Sequence, residues 1–378
     1  MQRINLDAAS APPLSPAVND ALRLAIDLPA ADPGRVSEEA RQVRFAIEQA
    51  RSQIAECLRL PQSTITFTAS LAETAATVIA SARSRRPGPV LVSAGERASL
   101  LRTAEATGET FTIPLTADGR IDTDAFTRLL AGHEPCLVVC QWVNQETGAI
   151  HDLATIAALA EAARIPLLVD GGAAGLLEPE AWMARAFYAT DATGLGGPAG
   201  ISMVAVPRGV RLDPLLRGGA QERNRRAGLE ATILICGFGA AAEERRLERT
   251  ALAERLRGLR DRLFTLVDAA GATAHYGPSD PAFRAPDVLC IGIAGIEAEA
   301  IVVGLDRRGV AAHSGSSCAS ETFEPSPVLA AMGADADHSL RLSLSWATTE
   351  KDLERAAAAL SETIAELSAL RSGGQERP

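Results

Sequence analysis

The chain has 378 residues, long enough for a large buried core and for two to three domains. Its 47 acidic residues outnumber 37 basic ones, giving a formal net charge of -10 with no basic block. Nucleic acid is therefore not an expected partner, because phosphate binding needs clustered positive charge. No stretch reaches the roughly 20 apolar residues of a membrane span. No basic segment followed by an apolar run opens the chain, so no signal peptide is expected. Cys57, Cys136, Cys140, Cys236, Cys290 and Cys318 show no zinc-site spacing, and a reducing cytoplasm is the expected compartment. The 37 basic residues comprise one lysine, Lys351, and 36 arginines, so a single side chain could form a lysine Schiff base.

In chain order, Ile4 to Leu6 read as a short strand ending in the proline-rich bend at Pro12-Pro13. Apolar residues at helical spacing, among them Ala40, Val43, Ile47, Ile54 and Cys57, predict a helix from Ser37 to Leu60, with Ser37 as its cap. A β-branched strand, Thr64 to Thr68, leads into a helix opening at Ala69-Ser70-Leu71-Ala72-Glu73-Thr74. Strands at Val90 to Ser93, Cys136 to Cys140 and Ile165 to Asp170 alternate with helices at Glu96 to Thr107 and Leu153 to Ala163. Such apolar strands between helices predict a mostly parallel sheet covered on both faces. Ligands then bind at the carboxyl ends of the strands, where Ser93, Gln141, Asp170 and Asp191 fall.

The stretch Thr190-Asp191-Ala192-Thr193-Gly194-Leu195-Gly196-Gly197-Pro198-Ala199-Gly200 reads as a glycine turn feeding a buried strand, Ile201 to Val206. A loop over Leu215 to Leu229 precedes two expected helices, a small-residue one from Glu230 to Ala242 and an amphipathic one from Ala251 to Ala270. The remainder reads as strand Val288 to Ile293, helix Glu297 to Arg308, a loop from His313 to Glu324, strand Leu340 to Ser345 and a final helix from Glu350. The tail from Arg371 is expected to be disordered.

Eight segments carry a resemblance in the same order along the chain. They are Phe67-Thr68, Val143 to Gly148, Val169-Asp170, Gly197 to Gly200, Gly218 to Arg223, Ser314 to Cys318, Glu324 to Leu329 and Arg341 to Leu344. Together they resemble the cysteine desulfurase branch of the class V aminotransferases. The resemblance implies an α/β fold, that of the fold type I pyridoxal phosphate-dependent transferases. It has a large domain with a mostly parallel seven-stranded sheet and a smaller α+β C-terminal domain. Residues 14–255 are expected to form the large domain, and 1–13 with 256–378 the small one that carries the Cys318 loop.

The family's chemistry needs an electron sink, a base and a nucleophile. Cys318 matches the mobile-loop cysteine that becomes a persulfide; a cysteine that merely fills space is the plainer alternative. Asp170 matches the aspartate that pairs with the pyridinium nitrogen, although an aspartate capping a neighbouring loop would look the same. Gln145 stands where the family has an asparagine near the ring hydroxyl. The other matches depart from the pattern. Gly194 stands at the Schiff-base lysine, Asp191 and Thr193 at the serine and histidine before it, and Arg97 at the histidine that stacks on the ring. Ala173 stands at a glutamine, Ser70 and Ala72 at the glycine and threonine of the phosphate turn, Leu229 at the partner subunit's threonine and Trp346 at the carboxylate-binding arginine. Lys351, at the start of the last helix, is too far along the fold to substitute.

The resemblance thus implies a relative with a vestigial cofactor site at Asp170 and Gln145, no bound pyridoxal phosphate, and no metal site of its own. Its role would be sulfur transfer or iron-sulfur cluster assembly, with Cys318 as persulfide acceptor or as a ligand to a shared cluster. Its partners would be a second copy or an active paralogue, and a cluster scaffold or sulfur acceptor protein. An active pyridoxal phosphate-dependent desulfurase or aminotransferase, a new activity using Asp170, Asp191 and Arg97, and a purely structural dimerisation partner are the alternatives.

Overall fold

The computed structural model describes residues 3–314 and 326–374. Cys318, with the other residues of 315–325, lies outside the described residues. The chain opens with β1 (Ile4–Asn5), α1 (Pro16–Ile26), α2 (Glu38–Cys57), β2 (Ile65–Thr68), α3 (Leu71–Arg85), β3 (Val90–Ser93) and α4 (Ala98–Thr107). It continues through β4 (Thr110–Ile113), α5 (Thr123–Gly132), β5 (Leu137–Gln141), α6 (Leu153–Ala162), β6 (Leu167–Asp170), β7 (Phe187–Asp191) and β8 (Ser202–Ala205). The side chains of Ser15, Ser37, Ser70, Asp122 and Asp152 cap α1, α2, α3, α5 and α6, each accepting from the backbone N–H three residues on.

Seven strands form one sheet in the order β2-β8-β7-β6-β5-β3-β4, as expected. The five strands from β7 to β4 run parallel, and β8 and β2 are antiparallel additions at one edge. β2, β3, β5, β6 and β8 are buried along their whole length, because helices cover both faces. After β3 the chain moves out to β4 and then returns to the other side of β3 for β5. That reversal opens a crevice beyond the carboxyl ends of β3 and β5.

The later chain forms α7 (Gln221–Asn224), α8 (Thr232–Ala270), β9 (Ala274–Tyr276), β10 (Val288–Gly292), α9 (Ala298–Arg307), β11 (Val310–Ala311) and β12 (His313–Ser314). α10 (Pro327–Ala331), β13 (Ser339–Ser343) and α11 (Glu350–Gly374) complete it. A second, antiparallel sheet has the order β12-β13-β10-β9. Beside it β1 pairs in parallel with β11, so the N-terminal strand belongs to the same core as Leu263, Ile291, Leu342 and Leu353.

Two expected helices, Glu230 to Ala242 and Ala251 to Ala270, are one helix of 39 residues. The intervening Glu243-Glu244-Arg245-Arg246-Leu247-Glu248-Arg249-Thr250 is polar, but glutamate and arginine are good helix formers, so polarity there does not end the helix. α8 packs Phe238 and Ala241 into the core of the large sheet and Leu256 and Leu263 into the core of the second sheet. The expected boundary near residue 255 falls inside it. Helices over Pro16–Ile26 and Thr123–Gly132 and the strand Thr110–Ile113 were not expected from the sequence.

Candidate functional site

Ser93, Gln141, Asp170 and Asp191 are the last residues of β3, β5, β6 and β7. All four therefore sit at the carboxyl edge of the parallel strands, as the sequence predicts. Above this edge lies a cavity of about 170 Å³, whose walls include Arg97, Gln145, Asp191, Gly194, Arg245 and Trp346.

Asp170 is 2% exposed and spends both carboxylate oxygens inside the protein. One accepts from Arg97 Nε at 2.7 Å and the other from the Gly172 backbone N–H at 2.6 Å. Burial works against the Arg97 charge, but Asp170 and Asp191 more than offset it and hold the guanidinium ionised. Next to Arg97, burial and then the Asp170 charge push the Glu96 carboxyl well above the usual carboxylate range. Glu96 Oε1 is buried with no hydrogen-bond partner among the described residues.

Asp191 turns back on its own loop. Its carboxylate accepts from Thr193 Oγ1 at 2.7 Å and from the Gly194 backbone N–H at 3.0 Å. Gly194 is glycine for a packing reason: a Cβ there would stand 2.4 Å from the Gly172 carbonyl oxygen. A Cβ on Gly175 would stand 1.9 Å from the Gly194 carbonyl. The segments after β6 and after β7 thus touch backbone to backbone, and neither tolerates a side chain without shifting.

At the start of α3 two backbone donors are met by side chains of the same turn. Ser70 Oγ accepts from the Glu73 N–H, and Glu73 Oε2 accepts from the N–H of Ala69, the residue before the cap, at 2.8 Å. The second oxygen of Glu73 takes Arg226 Nε at 3.1 Å.

With this geometry in hand, the family profile described as Aminotransferase class-V matches residues 4–356. The chain belongs to that family. It is 32% identical over 348 residues to cysteine desulfurase NifS of Azotobacter vinelandii, covering 89% of this chain and 86% of that protein. A cysteine desulfurase of Gluconacetobacter diazotrophicus is 35% identical over 343 residues, covering 86% and 84%. The fold matches the structure of a NifS-like protein from Rickettsia africae with a TM-score of 0.86 at 24% identity, over 96% of this chain and 99% of that one. Apo cysteine desulfurase from Thermococcus onnurineus matches with a TM-score of 0.84 at 20% identity, over 97% and 95%. The α/β architecture expected from the sequence is the fold of these structures.

The remaining residues singled out by the resemblance fall in different places. Gln145 lines the cavity, and its Oε1 is buried with no partner among the described residues. Trp346 also lines it and donates its indole N–H to the Pro13 carbonyl at 2.8 Å. Leu229 is 63% exposed, and Lys351 is exposed at the start of α11. Cys318 lies outside the described residues. Among the described residues no cluster of His, Cys, Asp and Glu could hold a metal ion, and no helix is long and apolar enough to cross a membrane.

Two cavity residues escaped the sequence reading. Arg245 projects from α8, and its Nε and Nη1 are buried with no acceptor among the described residues. Asp287 precedes β10, and burial pushes its carboxyl up to about 6 although Arg245 and Arg260 pull it down. A signal for Arg245 existed. Phe238, Ala241, Arg245, Arg249, Leu252 and Leu256 follow a helical stripe, visible once the helix is read as unbroken.

Proposed function

We propose that this chain is a cysteine desulfurase-like protein that works without pyridoxal phosphate, in sulfur transfer or iron-sulfur cluster assembly through Cys318. The observation that carries the reading is Gly194. It stands at the position of the Schiff-base lysine, and its Cα faces a carbonyl 2.4 Å from where a Cβ would be. Pyridoxal phosphate does not fit the residues present. Asp170 is engaged by Arg97, and at the start of α3 the Glu73 N–H goes to Ser70 while the Glu73 carboxylate stands at the turn on the Ala69 N–H. Asp191 presents a carboxylate where the cofactor phosphate would lie. Two like charges at about 4 Å repel by about 4 kcal/mol at an intermediate effective dielectric.

In the sulfur-transfer reading the Cys318 thiolate attacks the outer sulfur of a donor persulfide. The bond between the donor's two sulfurs breaks, the donor leaves as thiolate, and Cys318 carries the persulfide with no net oxidation. A thiolate at the same position could instead ligate a cluster held by a scaffold protein. The protein acts in the cytoplasm as a homodimer, or as a heterodimer with an active paralogue. Residues 14–255 are the cofactor-type domain, and 1–13 with 256–378 the domain that presents Cys318.

The visible absorbance of the purified chain, before and after adding pyridoxal phosphate, tests the loss of the cofactor. The expected protein is colourless and stays so, whereas a band that survives dialysis would sink the proposal. Persulfide transfer and cluster retention are expected to disappear in Cys318→Ser, and unchanged transfer would remove Cys318 from the role. The relatives, which are cysteine desulfurases, favour a second reading, an active pyridoxal phosphate enzyme. Cysteine desulfuration that persists in Lys351→Ala would support it and would show that the reaction here needs no Schiff-base lysine, because that variant has no lysine at all.

A further inference from the structure

The Arg97 guanidinium is held at one end and open at the other. Asp170 takes its Nε at 2.7 Å, while Nη1 and Nη2 have no acceptor among the described residues. The side chain is 29% exposed and lines the cavity. It lies against bare backbone, because a Cβ on Gly172 would come within 2.9 Å of Arg97 Nη2. Asp170 itself is fixed by the Gly172 N–H. The guanidinium is therefore oriented before any ligand arrives, with its terminal fork unused.

We infer that this cavity binds a small monocarboxylate, with the carboxylate on Nη1 and Nη2 of Arg97 and its short aliphatic part against Trp346, Leu252, Leu256 and Leu344. A planar carboxylate matches a pair of parallel N–H donors. Arg245 in the same wall adds a second positive charge, with two N–H groups that no described acceptor meets. Asp191 and Asp287 also line the cavity. Their charge disfavours a dianion such as phosphate and leaves room for a ligand with one negative charge. The same two carboxylates would accept from an ammonium group if the ligand carries one. A cavity of about 170 Å³ limits the ligand to a few heavy atoms. The inference rests on the cofactor-free reading, because Arg97 can serve this way only where Asp170 is its partner.

The test is isothermal titration calorimetry of the full chain with sodium propionate, L-alanine and sodium phosphate, after titrating the same preparation with pyridoxal phosphate and recording its visible spectrum. Saturable binding of propionate or L-alanine is expected, with phosphate weaker. Tighter L-alanine supports the inference with the ammonium on Asp191 or Asp287, and propionate at least as tight supports it for a plain acid. Arg97→Lys keeps the charge against Asp170 but loses the fork, and should weaken binding about tenfold. Arg97→Ala/Asp170→Ala removes both charges together and should abolish binding. A visible band with pyridoxal phosphate overturns the cofactor-free reading and this inference with it. No band and no saturable carboxylate heat overturns this inference alone, as does phosphate binding as tightly as propionate or unchanged affinity in Arg97→Lys.

Discussion

Arg51 and Arg97 each sit against a buried carboxylate, and they use their donors differently. Arg51 gives Nη1 and Nη2 to the two oxygens of Glu222, at 2.8 and 2.7 Å, its Nε to Glu48 at 3.1 Å, and a further bond to the Ile65 carbonyl. Glu222 also accepts the Phe67 backbone N–H at 2.9 Å, so the pair ties α2, β2 and α7 together. It does so at a strained place, because Glu222, Arg223 and Asn224 all have positive φ. Arg97 gives one donor to Asp170 and keeps its fork free at a cavity. Two pairs of the same chemistry thus separate by satisfaction: the saturated one holds a loop, and the unsaturated one is available to a ligand.

The largest effect that would sharpen this comparison is at the saturated pair. Glu222→Ala strands the buried Arg51 charge and the Phe67 N–H, and should cost about 3–5 kcal/mol in urea denaturation. Arg51→Met/Glu222→Met should recover most of that loss, since buried pairs often exchange for apolar residues at little cost. A loss under about 1 kcal/mol in Glu222→Ala would break the comparison.

Arg97→Ala should cost less, about 1–3 kcal/mol by the same measurement, because only one bond to the guanidinium is lost and Asp170 keeps the Gly172 N–H. A loss equal to that of Glu222→Ala would mean that Arg97 is as structural as Arg51.

The smallest effect is a slope. Asp287 has its carboxyl raised from 3.8 to about 6, first by burial. The folded state therefore binds its proton more tightly than the unfolded state does. The stability this confers is complete below pH 3.8 and is lost as pH rises through about 6. In Asp287→Asn the curve of stability against pH should flatten across that window, and an unchanged slope would place the raised carboxyl elsewhere.

Much of the site's placement was legible in the chain. Uniformly apolar runs ending in Ser93, Gln141 and Asp170 read as buried parallel strands, and the turn after Asp191 as their neighbour. The sheet's carboxyl edge followed from that periodicity alone. Gly194 was legible as a departure from the family pattern, but its reason was not, because the Gly172 carbonyl it touches lies 22 positions away along the chain. Arg245 is hidden for a different reason: its charged stretch looks like an interruption in the sequence, although arginine and glutamate sustain a helix.

By itself the sequence determined the alternation of strands and helices, the cap at Ser37, the single lysine and the family. These depend on local propensity, period and residue identity, which are properties of neighbours along the chain. Tertiary structure decided that Arg97 meets Asp170, that Gly194 packs on Gly172, and that Arg245 and Asp287 share a cavity wall. Those contacts join residues tens of positions apart, and the order in which the strands lie side by side selects which of them meet.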